Sequence, residues 1–391
     1  MGVGLTAAQE EYVARIRQVA SDHLAAIPPV HGSVNRPLVA ALGEHGLLRG
    51  LFGGAPDEPL DLASGDAAAL QLCLLRETLA TVTTEAETAL ALQGLGSYPI
   101  LQSGSPAAVE RWIPGVVDGS VVAAFALSEP DAGSDAAALS LRATPDGDGW
   151  RLHGEKAWIS NAPDADVYSV FARTTDGAGA RGVTAFVVPG DAPGLGGERL
   201  DLLAPHAIGT LAFDGVRVTG TDVLGEVDHG FAVAMRTLDL FRPSVGAFAV
   251  GMAQAALDAA LDWALTREVY GDLLIRQQSV EHTLAEMATR TEAARLLVRA
   301  AAATYDVGAP ASEVTQSAAM AKLFATENAQ WVVDQAVQLH GARGLQQGHL
   351  LERLYREVRA PRIYEGASEV QRTIIGRGLV RARQSRQGGH A

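Results

Sequence analysis

The sequence predicts a mainly helical α+β chain. It divides into a helical domain over residues 1–120, a central antiparallel β domain over 121–228 and a four-helix bundle over 229–391. Three observations predict this order. Apolar residues recur at helical spacing towards both ends of the chain. β-rich runs separated by Asp-Gly turn signals fill the middle. A chain of 391 residues also exceeds what one compact core holds.

In the first segment Val13, Ile16 and Ala20 share one helical face, and Thr6 with Glu10 nearby forms a cap region. Leu38, Leu42 and Leu47 follow, then Leu72, Leu75, Leu79 and Val82. Gly94, Gly96 and Pro99 predict a break before a further helical piece over 107–117. From Val121 the texture changes. Residues 121–127 form an apolar run of strand length, 150–153 alternate, and 167–171 and 183–188 are rich in β-branched and aromatic residues. Asp146-Gly147-Asp148-Gly149, Asp176-Gly177 and Asp214-Gly215 read as turns between them. With no helix intervening, these strands predict an antiparallel sandwich or barrel. Helix returns after Gly230. Val245, Phe248, Met252, Ala256, Ala259 and Trp263 mark one apolar face, and Val280, Leu284, Met287, Thr291, Ala294 and Val298 a second. A third runs through Phe324, Trp331, Val332, Ala336 and Leu339, with Ser312 as its start, the polar Asn328 interrupting it and Gly341 as its stop. The segment after Ser368 supplies the fourth helix of a bundle, and 385–391 read as a frayed tail.

Composition narrows the function. The net charge of −14 leaves no electrostatic footprint for nucleic acid or an anionic membrane. A single cysteine, Cys73, rules out a disulfide within the chain, so a reducing, cytoplasmic location is expected. No apolar run reads as long enough to span a bilayer, and the N-terminus lacks a signal pattern. Lysine occurs only at Lys156 and Lys322. His340 has no second His or Cys at ligand spacing, so no metal is expected. No strand runs into Gly-x-Gly-x-x-Gly, which argues against a Rossmann nucleotide site.

Four stretches carry chemistry. In Arg362-Ile363-Tyr364-Glu365-Gly366-Ala367-Ser368 a carboxylate sits between an aromatic and a glycine where a helical region breaks. The aromatic can shield the carboxylate, which raises its pKa and makes it a better base at neutral pH. Ser128-Glu129-Pro130-Asp131-Ala132-Gly133-Ser134-Asp135 offers backbone and hydroxyl donors to an anionic or carbonyl-rich ligand. Trp158-Ile159-Ser160-Asn161 sets an indole beside a hydroxyl, which suits a flat ring needing stacking and one hydrogen bond. Gln338-Leu339-His340-Gly341-Ala342-Arg343-Gly344 lets a phosphate or ribose approach the backbone. Each alone is outweighed by a bland reading: an exposed loop, a core tryptophan, a glycine helix stop.

Together and in this order they resemble the acyl-CoA dehydrogenase family of flavoproteins. Residues 126–135 resemble the family's first signature, and 338–357, with Gly341, Gly344 and Arg353, its second. Between them lie Trp158-Ile159-Ser160, Leu238-Asp239-Leu240-Phe241-Arg242-Pro243, and Arg267-Glu268-Val269-Tyr270-Gly271 followed by Gln278. The resemblance covers residues 94–379 closely and the N-terminal helices loosely.

The resemblance implies FAD as cofactor and α,β-desaturation of an acyl-CoA thioester. The α-proton goes to Glu365 and the β-hydride to the flavin N5, giving a trans-2-enoyl product. It implies that Phe125, Leu127, Ser128, Trp158, Ile159 and Ser160, with Ala367, Ser368 and Glu369, surround the flavin. Gly133 and Ser134 would lie along the diphosphate or the pantetheine arm. Arg267, Gln278, Gln338, Leu339 and Gly341 would hold the ADP half of FAD, that of the partner in a homodimer or homotetramer. Leu238, Asp239, Arg242, Tyr364 and Gly366 match substrate positions. An electron-transferring flavoprotein is the implied acceptor. Departures are Ala367, where many relatives carry Thr, Asp272, where Lys is frequent, and a shorter N-terminal region without a clear version of the usual loop between its early helices. Competing expectations are a dehydrogenase of carrier-protein-bound acyl groups and an oxygen-using flavin monooxygenase or oxidase of the same fold. Relatives of the oxidase kind replace the carboxylate present here as Glu365.

Overall fold

The computed structural model describes residues 4–52, 68–204 and 206–388. Its contacts group the chain into two units. One comprises residues 4–17, 69–84 and 239–388, the other 18–52, 68, 85–204 and 206–238.

In the second unit an eight-stranded sheet packs with helices α2 (Arg36–Glu44), α4 (Thr84–Ser103) and α5 (Pro106–Asp118). Its strands are β1 (Ala123–Ala126), β2 (Arg142–Asp146), β3 (Gly149–Ser160), β4 (Val167–Arg173), β5 (Val183–Pro189), β6 (Leu195–Gly196), β7 (Ile208–Thr219) and β8 (Val223–Leu224). They run in the order β6-β7-β3-β2-β4-β5-β8, with β1 added on β4. The pairing is antiparallel except where β4 meets β1 and β2, so the sheet is mixed. Every side chain of β4 from Val167 to Ala172 is buried, as expected of a strand covered on both faces.

Two turn readings change. Asp214-Gly215 lies inside β7, at the register shift opposite Leu152 and His153, so it is a bulge and not a turn. Gly94, Gly96 and Pro99 lie inside α4 and do not end it. The reason at Gly96 is close approach. A Cβ there would fall 2.5 Å from the Ala124 nitrogen, and the Gly96 carbonyl accepts from Ser169 Oγ at 2.8 Å. The glycine lets the helix backbone lie directly on β1.

The first unit is helical. It holds α1 (Ala7–Val19), α3 (Ala69–Val82), most of α6 (Gly230–Thr266), α7 (Gln278–Asp306), α8 (Ala311–His340), α9 (Leu350–Glu357) and α10 (Ser368–Gly388). Thr6 caps α1 with Gln9, not Glu10: Gln9 N donates to Thr6 Oγ1, and Thr6 N to Gln9 Oε1. Asp306, at the end of α7, accepts from the backbone of Ala69 and Leu70 at the start of α3. Gly341 stops α8 in left-handed space, as its position predicts. The interrupting Asn328 is buried and satisfied by the Phe324 carbonyl and Arg290. Helix α10 continues to Gly388 through the region read as a tail, while 389–391 lie outside the described residues.

Helix α6 is long and apolar enough to cross a membrane, contrary to the sequence reading. However, 72% of its apolar window is buried inside the protein, as in a core helix.

Candidate active site

The loop before α10 carries the carboxylate singled out in the sequence. Glu365 has φ +50° and Gly366 φ +94°, two successive residues in left-handed space. Glu365 Oε2 is buried and has no hydrogen-bond partner. Burial drives the Glu365 carboxyl above the usual range; Arg76, Lys322 and Arg242 act in the opposite direction without cancelling it. A carboxylate left unpaired in a dry setting is an uncommon arrangement and a functional one by default.

The loop's carbonyls are held from three helices. Arg242 of α6 donates Nε to the Glu365 carbonyl at 3.2 Å. Lys322 of α8 donates Nζ to the Gly366 carbonyl at 2.7 Å. Gln371 of α10 donates Nε2 to both, at 3.2 and 2.9 Å. Glu327, further along α8, accepts from Ser368 Oγ at 2.6 Å and pairs with Arg362 at 2.8 Å, gripping both ends of the loop. Arg242 is 5% exposed and is itself aimed by Asp239 at 3.1 Å, whose other oxygen accepts from Thr315. The structure thus places Asp239 and Arg242, expected near substrate, in direct support of the Glu365 backbone. Ser368, expected near the cofactor, is buried and engaged by Glu327. The Arg76, Lys322, Glu327 and Gln371 contributions were missed by motif reading. The signal available for Lys322 was its rarity in the sequence.

In the sheet unit, β1 and its following loop are brought beside the end of β3. Ala157 N donates to the Ser128 carbonyl, and Asn161 Nδ2 to the Ala123 carbonyl. Lys156 is fully buried and donates Nζ to the Leu127 carbonyl at 2.9 Å and to Glu129 Oε1 at 2.8 Å. Burial pushes Lys156 down to about 8 against the pull of Glu129. Glu129 would be raised by burial, but Lys156 and the Leu141 and Ser140 backbone donors hold it below the usual range. The pair fixes the stretch Leu127–Glu129 to β3.

Trp158 follows at the second register shift of β3, with φ +61°, and is 55% exposed. Apolar surface of that size, on strained backbone, is what a planar ring would cover. Phe125 and Ser128 are half-buried nearby in sequence and pairing, as is Ser160, whereas Ile159 points into the core and Leu127 is nearly covered. Gly133 and Ser134 are exposed in the loop, and no atom lies within 4 Å of a Cβ built at Gly133. These residues fit a flavin: a stacking face, flanking hydroxyls and an open glycine-containing loop.

A third cluster joins the far end of α6 to the end of α8. Trp263 stacks on His340 at 5.3 Å, with Arg343 at 4.9 Å and Arg267 at 5.7 Å from the indole centroid. Arg267 and the 338–341 stretch are therefore brought together, through a tryptophan read in the sequence only as an apolar-face residue. Gln278 opens α7 and is exposed; Tyr270 is 99% exposed at φ +52°. Among the described residues no cluster of His, Cys, Asp and Glu could hold a metal.

Three family models match along almost the whole chain: the acyl-CoA dehydrogenase N-terminal domain over residues 6–120, the middle domain over 124–216 and the C-terminal domain over 228–380. The chain belongs to the acyl-CoA dehydrogenase family. It is 34% identical to cyclohexane-1-carbonyl-CoA dehydrogenase of Geobacter metallireducens, over 94% of this chain and 96% of that protein. The butyryl-CoA dehydrogenase structure from Megasphaera elsdenii superposes with a TM-score of 0.88 at 33% identity, covering 97% of this chain and all of that one. A chain described under "Electron transferring flavoprotein of Acidaminococcus fermentans: Towards a mechanism of flavin-based electron bifurcation" gives a TM-score of 0.89 at 32% identity, over 97% of this chain and 100% of that one. An acyl-CoA dehydrogenase is a flavoprotein oxidoreductase of acyl-CoA metabolism, and FAD is the cofactor.

Proposed function

We propose that this acyl-CoA dehydrogenase desaturates its thioester between Cα and Cβ to the trans-2-enoyl product, with Glu365 taking the α-proton. The observation that carries the reading is the state of that carboxylate: buried, Oε2 unpartnered, its pKa raised, on a turn held by three donors. A solvated carboxylate is a poor base towards so weak an acid as a thioester α-carbon, and desolvation strengthens it. Negative charge then develops on the thioester oxygen, and the Glu365 backbone N–H is this chain's candidate donor to it. FAD, when bound, accepts the β-hydrogen with its electron pair.

The exposed Trp158 indole with Ser128 and Ser160 supports binding of the flavin ring there. Arg267, Gln278, Gln338, Leu339 and Gly341, now joined by Trp263 and Arg343, are assigned to the ADP half, that of a partner copy in a homodimer or homotetramer. Leu238, Tyr364, Gly366 and Ser134 remain the substrate contacts, while Asp239 and Arg242 act through the loop. The acyl group is compact. That choice is supported by relatives named for cyclohexane-1-carbonyl-CoA and butyryl-CoA. Reoxidation by an electron-transferring flavoprotein is supported by the similar chain described with one.

Anaerobic mixing of the yellow holoenzyme with butyryl-CoA and cyclohexane-1-carbonyl-CoA tests this. At least one should bleach the flavin, and palmitoyl-CoA should not. Glu365→Gln should keep its FAD and slow bleaching by at least about 10²-fold. Undiminished bleaching would remove Glu365 from the reaction.

A further inference from the structure

The protein has only two lysines, and both are fully buried. Each spends its ammonium on a main-chain carbonyl of a functional loop: Lys156 on Leu127 and Lys322 on Gly366. The other 29 of its 31 cationic residues are arginines (31 − 2), so an ammonium at these two places stands out. Lys156 has a carboxylate at 2.8 Å. Lys322 instead feels the charges of Glu365, Glu327 and Glu369, opposed by that of Arg242. Glu365 in turn feels the charges of Arg76 of α3, Lys322 of α8 and Arg242 of α6.

We infer that Lys322 is a positioning residue for the base. It fixes the Glu365–Gly366 turn through the Gly366 carbonyl, and its charge is coupled to the ionisation of Glu365. The inference rests on the reading of Glu365 as the base for its catalytic meaning, but the coupling itself does not. An ammonium suits the place better than a guanidinium because it is compact and meets a single carbonyl. It can also lose its proton: burial pushes Lys322 down to about 8, with Glu365 the largest influence in the opposite direction. Two buried groups that sense one another this way titrate as a pair. The sign is fixed. Ionised Glu365 raises Lys322, and charged Lys322 lowers Glu365.

The scarcity of lysine makes the coupling directly observable. Protein labelled with [13Cε]lysine gives two resonances in the holoenzyme, without any turnover. In the wild type the Lys322 signal should titrate near pH 8. In Glu365→Gln, a near-isosteric change, its midpoint should fall while that of Lys156 stays put. A Lys322 midpoint that does not move overturns the inference. Lys322→Met supplies the kinetic arm. With FAD retained, the acidic limb of the bleaching rate should move up by about one pH unit, a roughly tenfold loss at a fixed pH on that limb. Lys322→Arg, which keeps the charge, should bring the limb back. A Lys322→Met variant whose acidic limb does not move, and which is merely less stable, also overturns it. The two readings fail separately. Normal bleaching by Glu365→Gln sinks the base assignment whatever Lys322 does. An unmoved Lys322 signal beside lost bleaching sinks only the coupling.

Discussion

Glu365 and Gly366 both occupy left-handed backbone, yet they tolerate different changes. A non-glycine residue in that region costs about 1–2 kcal/mol, and Glu365 already incurs it. At Gly366 a Cβ would also meet Gln371 Nε2 at 2.5 Å, the atom that binds the loop's two carbonyls. Gly366→Ala should therefore lower the thermal midpoint and slow bleaching together, whereas Gln371→Leu should slow bleaching with less loss of midpoint; calorimetry beside stopped-flow separates them. Glu365 also links stability to pH. Its folded pKa is raised, so the folded state holds this proton more tightly than the unfolded chain does. The stabilising contribution is present below the ordinary carboxylate range and is lost as pH rises through the folded value. Glu365→Gln should thus melt above the wild type at pH 8 and alongside it at pH 4; equal midpoints at pH 8 would contradict the burial cost. The identity of this carboxylate was legible in Tyr364-Glu365-Gly366, because an aromatic, an acid and a glycine at a helix break is a local pattern. Its supports were not, since Arg76, Arg242, Lys322 and Glu327 come from helices far apart in sequence.

At the level of elements, the same division holds. Runs of β-branched residues marked β4 and β5 well, because strands buried on both faces read as continuous apolar segments. β7 went unread because its bulge at Asp214-Gly215 imitates a hairpin turn, and α4 was cut short because Gly96 serves packing and not termination. Trp158 could be named as a ring platform from sequence, but its exposure depends on the register shift in β3. That shift sits two residues after Lys156, whose pairing with Glu129 ties the Ser128 loop to the strand. Removing one member of a buried pair leaves an uncompensated charge and costs about 3–5 kcal/mol. Lys156→Met should reach that range in denaturant unfolding and weaken FAD retention. Adding Glu129→Gln should recover part of both, because it removes the charge left unpaired while the amide oxygen can keep the Ser140 backbone and hydroxyl donors. If the double variant is no better than the single, the pair is not what fixes the loop.

For the molecule as a whole, the charge pattern yields a prediction that needs no turnover. The chain carries a net charge of −14, and neither of its lysines contributes to the surface, since Lys156 and Lys322 are both 0% exposed. Native protein treated with an amine-specific acylating reagent should leave both lysines unlabelled, while denatured protein takes up a label at each. Because each lysine lies within a different unit, each also reports the opening of its own surroundings. Under native conditions labelling should follow the population of open forms when closing is fast relative to reaction. Mild denaturant should therefore raise the rate at both lysines, and peptide mass spectrometry can read the two rates apart. FAD in excess should slow Lys156 labelling, since binding to the closed form shifts opening by mass action and Lys156 anchors the loop beside Trp158. A Lys156 rate that ignores FAD would mean the loop it anchors takes no part in holding the flavin.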